Sequence, residues 1–370
     1  MTSVLFINPD LHRSSEGILS LVARFNLYGK AIQENPNHRS SKIVLLAGIT
    51  KQEFQLVNDL NLESLKVIRI GNPSNFPLLF AMKARKLILR EKIRSKIIVS
   101  SDLYFGFLAS YLISKLLNQK QFIQISIHGN VLRQDEFLLV RMARKIYLSF
   151  VIRNSHSIRY VSDFLYKEVS AIFPVSDKNN FIAPIPIEVG SQKNHVKKEK
   201  VLAFVGRLHS ERGVKEWAEI ALKLLGGRSD FRIKIIGDGP LLEEMNFSLM
   251  NKFEKDQVDF LGRLDRNRMN SEWNAVKVLL SSAPSEGYGL AVREALASST
   301  FVCARDSGGV TTLSNEYGGV VKTYRDSNEA VEIISAFLDE EFPVEVSNSF
   351  RSEIHQSNMA HMKILVSSWL

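Results

Sequence analysis

Glu286 and Glu294 stand eight residues apart in PSEGYGLAVREALASS (284–299), with Gly287, Tyr288 and Gly289 behind the first. Two carboxylates at a glycine-rich turn can work as an acid/base pair or accept hydrogen bonds from hydroxyl groups. The elements around them choose between those uses. VKVLLSS (276–282) reads as a strand, APSEGYGL as a loop and AVREALASS as a helix starting near Leu290 or Ala291. Glu286 then belongs to the loop and Glu294 to the helix's first turns, so the two do not stack on one helical face. Amide groups of Gly289 and Leu290 at that helix start suit an anion. Carboxylates beside an anion are unfavourable unless they bind hydroxyls, and a vicinal diol supplies a pair of them. The plainer reading is one loop glutamate and one glutamate favoured by the helix dipole, and this stretch alone leaves both open.

A second cluster lies in VGRLHSERGVKEWAEIALKLL (205–225). A strand ends at Val205, a turn begins at Gly206 and an amphipathic helix starts near Val214. Arg207 and Arg212 fall in the loop beyond the strand's carboxyl end, where open α/β sheets bind ligands. Two arginines beside a helix N-terminus suit a diphosphate; a solvated surface loop is the equal alternative. IKIIGDGPLLEEM (233–245) contains Gly237-Asp238-Gly239 ahead of Pro240, which a tight turn and helix start explain fully.

The elements that must position these residues alternate along 370 residues, a length for which two domains is the natural expectation. Strands are predicted at 3–8, 42–48, 65–71, 96–101, 122–129 and 157–162, with helices such as 78–95, 104–117 and 135–151 between them. Several of these strands are nearly continuous apolar runs, as in a parallel sheet covered on both faces. Prolines, a glycine and clustered lysines at 183–200 mark a linker. Strands resume at 201–206, 231–239, 258–262, 276–282, 300–305 and 318–322. The fold class is therefore α/β, with two Rossmann-like parallel-sheet domains. The first spans 1–185, a linker 186–200, the second 201–345, and 346–370 is a C-terminal helix, a candidate to pack back on the first domain, with an exposed tail.

Composition excludes several classes. Apolar content of 45% and charged content of 24% are those of a soluble globular chain. No apolar run reaches the roughly 18–20 residues of a spanning helix, and the N-terminus reads as a strand and not a signal peptide. The single Cys303 rules out an intramolecular disulfide and fits a reducing cytoplasm. One Cys and eight scattered His offer no metal-ligand spacing, so no metal is expected. The net charge of +9 is uneven: residues 1–185 hold 25 Lys/Arg against 13 Asp/Glu. That half has the appetite for anions.

The ordered series G-R-L-x-x-E-R-G, G-D-G-P, VDFLGRL (258–264), E-x7-E and SGGV (307–310) resembles the second domain of retaining GT-B glycosyltransferases of family 4 over about 200–325. The resemblance implies two Rossmann-like domains facing a cleft, and transfer of a sugar from a nucleotide-diphosphate sugar to a glycan or lipid-linked acceptor. That donor is a substrate, and no cofactor is implied. Carried over by motif, Arg207 and Arg212 would hold the diphosphate and Glu294 the ribose hydroxyls. Glu286 would contact the transferred sugar as a catalytic-site residue, with Gly287, Tyr288, Gly289 and Leu290 touching sugar or phosphate. The family usually has Lys where this chain has Arg212, so a forked guanidinium replaces a compact ammonium. The FLGRL loop (260–264) would lie near the base.

The first domain's resemblance is looser. QISIHGN places His128 and Gly129 at a strand's carboxyl end, where the family often has a histidine that hydrogen-bonds the sugar or assists proton movement. Against the family's N-terminal glycine-rich loop this chain offers only Gly17. The resemblance further implies retention of anomeric configuration without a metal. It also implies a role in building surface polysaccharide or lipopolysaccharide.

MKARKLILREKIRSK (82–96) lines a helix with Lys83, Arg85, Lys86, Arg90, Lys92, Arg94 and Lys96. It reads either as a solvated helix face or as a dock for an anionic membrane surface, the latter joined by VRMARKIY (140–147). The expected location is the cytoplasm, peripheral on the inner face of the cell membrane. A dinucleotide-dependent oxidoreductase is disfavoured, because no G-x-G-x-x-G follows a strand with an acid about twenty residues on. Nucleic acid is not an expected partner, since no helix-turn-helix or aromatic-interleaved basic platform is present. A non-catalytic nucleotide- or glycan-binding relative is the remaining alternative, opposed by the retained glutamates and arginines.

Overall fold

A computed structural model describes residues 3–9, 18–60, 62–72, 76–117, 121–131, 137–175, 178–187, 190 and 198–370. The chain divides into two compact units, Met1–Pro184 with Met359–Leu370, and Ile185–Asn358.

The first unit runs β1 (Val4–Asn8), α1 (Ile18–Gln33), β2 (Ile43–Gly48), α2 (Lys51–Asn58), β3 (Leu65–Gly71), α3 (Pro77–Arg90) and β4 (Ile97–Ser100). It continues with α4 (Phe105–Leu116), β5 (Phe122–Ile127), α5 (Leu138–Asn154), β6 (Ser157–Tyr160), α6 (Asp163–Ser170) and β7 (Asn179–Ile182). The sheet order is β3-β2-β1-β4-β5-β6-β7, every pair parallel. All six residues of β2, Ile-Val-Leu-Leu-Ala-Gly, are buried, because a doubly wound sheet leaves neither face to water. One face packs on α1 and α2 and the other on α3 and α4. Asn179–Ile182 carries only two apolar residues and adds a partly exposed edge strand beyond the predicted set.

The second unit runs β8 (Val201–Val205), α7 (Val214–Gly227), β9 (Arg232–Ile236), α8 (Leu242–Met250), β10 (Val258–Gly262) and α9 (Arg266–Trp273). Then come β11 (Val278–Ser281), α10 (Leu290–Ala297), β12 (Phe301–Arg305), α11 (Gly308–Glu316), β13 (Val321–Tyr324) and α12 (Ser327–Asp339). The order is β10-β9-β8-β11-β12-β13, again parallel throughout. The strand order reverses between β8 and β11, and their carboxyl ends open the crevice where such sheets take ligands.

α13 (Val344–Ser367) begins in the second unit, and the residues after Asn358 belong to the first. Three details depart from the sequence reading. The tail is not exposed: Leu365, Val366 and Trp369 are buried. Trp369 meets Phe6 edge-on at 5.3 Å and Tyr28 at 5.6 Å, and its indole N–H donates to buried Gln124 at 2.7 Å. Lys198, placed in the basic linker, is enclosed. Its ammonium donates to the carbonyls of Trp273, Val276 and Ser298 and to Thr300 Oγ1 at 2.6–2.8 Å. Burial alone lowers its pKa to about 7. Finally, the basic residues of 82–96 do not share one helix. α3 ends at Arg90, and Lys92 takes a left-handed φ of 51° that turns the chain toward β4.

Candidate functional site

The site in the second unit is built where two loops meet at backbone contact. The β8–α7 loop ends on Gly213 at φ 65°, where a Cβ would sit 2.0 Å from the carbonyl oxygen of Ser282 at the end of β11. Only glycine allows that approach. The buried Ser282 hydroxyl lies 3.1 Å from the Arg212 carbonyl and 3.0 Å from that of Gly213. These contacts set Arg212 against the β11–α10 loop.

Arg212 Nη1 then donates to Glu286 Oε2 at 2.7 Å. The other carboxylate oxygen, Oε1, accepts the Gly289 N–H at 3.2 Å. Gly289, at φ 72°, is the N-cap of α10, and no side chain caps that helix. The main chain of Glu286 is held as well: its carbonyl accepts the Gly309 N–H at 3.0 Å, and a Cβ on Gly309 would lie 2.0 Å from that oxygen. The SGGV stretch is therefore a backbone rest for the glutamate loop. Glu286 is 15% exposed.

Glu294, on α10, takes a different partner. Its Oε1 accepts from Arg266 Nη1 at 2.5 Å, and the glutamate is 11% exposed. Arg266 starts α9, whose N-cap Asp265 accepts the Arg268 N–H at 2.9 Å. Arg207 pairs with Glu211 in its own loop and is 54% exposed. Tyr288 lies under Arg293, 4.1 Å from ring centroid to guanidinium, and Arg293 also donates to the Tyr288 carbonyl. Burial pushes the Arg293 pKa down, while Tyr288, Glu286 and Glu316 pull it up. Leu290 is partly buried at the first turn of α10.

Arg212, Glu286 and Gly289 are thus brought into one hydrogen-bonded group, while Glu294 and Arg207 each belong to a separate pair. The Gly289 amide, expected to point outward as an anion donor, is turned onto Glu286 instead. Arg266 and Arg293 were not singled out in the sequence. Arg293 directly precedes Glu294, and Arg266 follows FLGRLD by one residue, but neither position carries a local signature. Gly237 and Gly239 behave as a turn: at φ 140° and 158°, their Cβ atoms would strike the carbonyls of Gly206 and Leu208 at 1.8 and 2.5 Å.

In the first unit His128 follows β5, and Gly129 after it is open. Burial, then the charges of Arg159 and Arg24, lower the His128 imidazole to about 3. By surface area, however, His128 is exposed, so solvent screens this shift; its direction is downward and the ring is neutral at pH 7. Arg159 is buried and donates to the carbonyls of Ala183 and Pro184 at 2.7 and 2.9 Å. Gly17 lies outside the described residues. Among the described residues, no group of three or more His, Cys, Asp or Glu is placed to hold a metal ion, and no helix is long and apolar enough to cross a membrane.

Two parallel-sheet Rossmann-like units with a charged group at the second sheet's switch point define the GT-B fold. The likeness to solved structures agrees: Anabaena HepE, crystallised with UDP and glucose, aligns with a TM-score of 0.72 at 14% identity, covering 99% of this chain and 100% of that one. Residues 188–356, most of the second unit, match the family described as Glycosyl transferases group 1.

Curated relatives match over shorter stretches. The 2-deoxystreptamine glucosyltransferase of Streptomyces kanamyceticus is 26% identical over 145 residues, 39% of this chain and 38% of that protein. A GDP-mannose-dependent alpha-mannosyltransferase of Corynebacterium glutamicum is 30% identical over 118 residues, 32% of this chain and 26% of that protein. Both matches span well under two thirds of the relatives' lengths.

Proposed function

We propose that this protein is a retaining glycosyltransferase that moves a sugar from a nucleotide-diphosphate sugar to a glycan or lipid-linked acceptor in surface polysaccharide or lipopolysaccharide biosynthesis. The observation that carries the reading is the Arg212–Glu286–Gly289 group at the head of α10, fixed by backbone contacts with Gly213 and Gly309. Relatives that use GDP-mannose or glucosylate 2-deoxystreptamine support it, as does a fold neighbour holding UDP and glucose.

In this reading Arg207 and Arg212 bind the diphosphate and stabilise the charge that grows on it as the bond to the anomeric carbon breaks. Glu286 accepts hydrogen bonds from hydroxyls of the transferred sugar, and Glu294, oriented by Arg266, does the same for the ribose. Tyr288, with Gly287 and Leu290, lines the sugar and phosphate path. The acceptor hydroxyl attacks the anomeric carbon, and its proton passes to the departing phosphate oxygen. Neutral His128 hydrogen-bonds the sugar. The arginines provide the counter-charge, so no resident metal or cofactor is invoked. The protein would act in the cytoplasm, against the inner face of the cell membrane.

A thermal-shift screen with UDP-, GDP- and ADP-sugars tests the donor, because a ligand of the native state raises its melting temperature. Proton NMR of the product then reads the anomeric configuration. No shift with any nucleotide sugar, or an inverted product, would overturn the reading.

A further inference from the structure

The first turns of α3, α4 and α5 share one end and one face of the first unit's sheet. Each helix follows a strand of a parallel sheet, so each begins at the carboxyl edge. α3 packs along α4. α4 meets α5 through stacked Tyr104 and Tyr147 at 5.6 Å and through edge-on Phe107 and Phe150 at 6.0 Å. All three present large apolar side chains to solvent: Leu78 and Leu79 at the start of α3, Phe105 at the start of α4, and on α5 Phe137 and Leu139 at its start with Ile146 two turns on. Phe137 is 87% exposed, Leu139 79% and Ile146 71%, values far from those of a helix resting on its own core. α5 buries nothing before Leu148. Its first turns carry exposed Leu138, Leu139, Val140 and Met142, apolar around much of their circumference.

Charge selects what covers this rim. α3, α4 and α5 together contain nine Lys or Arg and no Asp or Glu. A second copy of the same surface would bring like charges together. An anionic bilayer offers acyl chains to the apolar rim and headgroups to Lys83, Lys86, Arg141 and Lys145. We propose that the starts of α3 and α4 and the first half of α5 form a membrane-docking surface, with Phe137, Leu139 and Ile146 entering the headgroup–acyl boundary of an anionic leaflet. The apolar contribution comes chiefly from α5, not from the basic 82–96 stretch. For its purpose, bringing the enzyme to lipid-linked acceptors, this rests on the proposed transferase reading. Docking itself needs neither donor nor acceptor.

Co-sedimentation of the full chain with phosphatidylglycerol-rich vesicles, against phosphatidylcholine alone, tests it apart from turnover. Binding is expected to the anionic vesicles and to fall with added salt. Leu139→Glu with Ile146→Glu should lower partitioning at least about tenfold, and the milder Leu139→Ala with Ile146→Ala should lower it in the same direction. Because these side chains are exposed, circular dichroism and melting temperature should stay at the parental values. The proposal is overturned if the parent stays in the supernatant with anionic vesicles or if both variants sediment like the parent. A stable dimer in light scattering that the glutamate variant converts to monomer would also overturn it. Loss of docking with nucleotide-sugar binding intact would leave the transferase reading standing.

Discussion

Arg212 and Glu286, 74 residues apart in the chain, form an ion pair of 2.7 Å across the point where the second sheet reverses its strand order. The pair joins the β8–α7 loop to the β11–α10 loop.

Arg212→Ala should weaken a nucleoside diphosphate by about 1.5–3 kcal/mol, the range for a charged hydrogen bond. Arg212→Lys should recover part of the loss, since it keeps the charge but not the fork. Glu286→Gln should lower transfer by about a hundredfold or more while leaving nucleoside diphosphate affinity nearly unchanged. Calorimetry and initial rates together separate these outcomes; a loss of nucleoside diphosphate affinity as large as the loss of transfer in Glu286→Gln would contradict a role toward the sugar.

Glu294→Ala should weaken nucleotide-sugar binding, and Arg266→Ala should do so less, because it acts by orienting the carboxylate. Calorimetry on the two single variants and the double variant should give a coupling energy of about 0.5–3 kcal/mol. Strict additivity would mean that the Arg266–Glu294 contact does not serve the ligand.

Gly309→Ala places a methyl group 2.0 Å from the Glu286 carbonyl. The loop must move, so donor affinity should fall even though residue 309 need not touch the ligand. Gly319, where a Cβ would meet nothing within 4 Å, serves as the control, and Gly319→Ala should bind the donor as the parent does.

The lowered His128 pKa has a definite sign in stability. The folded state binds this proton less readily than the unfolded chain, so the contribution is fully present above the unfolded value near 6.5. It is lost as pH falls below that value. His128→Gln should flatten that acid-side slope in urea titrations carried below the unfolded histidine value near 6.5. A slope identical to the parent's would show that His128 takes up its proton as freely in the native state.

Lys198→Met removes the donor shared by four oxygens of the second unit. Leaving buried carbonyls unsatisfied should cost about 1–3 kcal/mol, read as a lower urea midpoint at pH 7. In the parent, the folded pKa of about 7 lies below the ordinary lysine value of 10.5. Stability should therefore rise with pH between those values, and the variant should lose that rise.

The local pattern revealed most of the architecture. Apolar runs such as Ile43–Gly48 and turn glycines such as Gly206 and Gly237 identify strands and their ends before any coordinates are known. Ordered motifs also placed Arg212, Glu286 and Glu294 around one helix start. What the pattern could not show was partnership. Glu294 finds Arg266 from another loop, and Lys198 finds oxygens 75 to 102 residues away, with no periodicity to announce either. The edge strand Asn179–Ile182 was missed because half of it is asparagine. The burial of Trp369 was missed because two apolar residues at a helix end look the same whether they face water or Phe6.

Trp369 also sets an order of events. The second unit is one uninterrupted stretch, Ile185–Asn358, and each of its strands and partners is available once that stretch has been made. The first unit begins earlier but is completed later. Its core around Phe6 and Tyr28 lacks an indole, and Gln124 lacks the donor to its buried carbonyl, until the residues near Trp369 have left the ribosome. At ordinary rates of synthesis, about 5–20 residues per second, the earlier-made half waits roughly ten seconds or more for its last piece. During that interval the half with the exposed apolar rim is the less finished of the two, and a nascent chain stalled before residue 369 should be most vulnerable to proteases there.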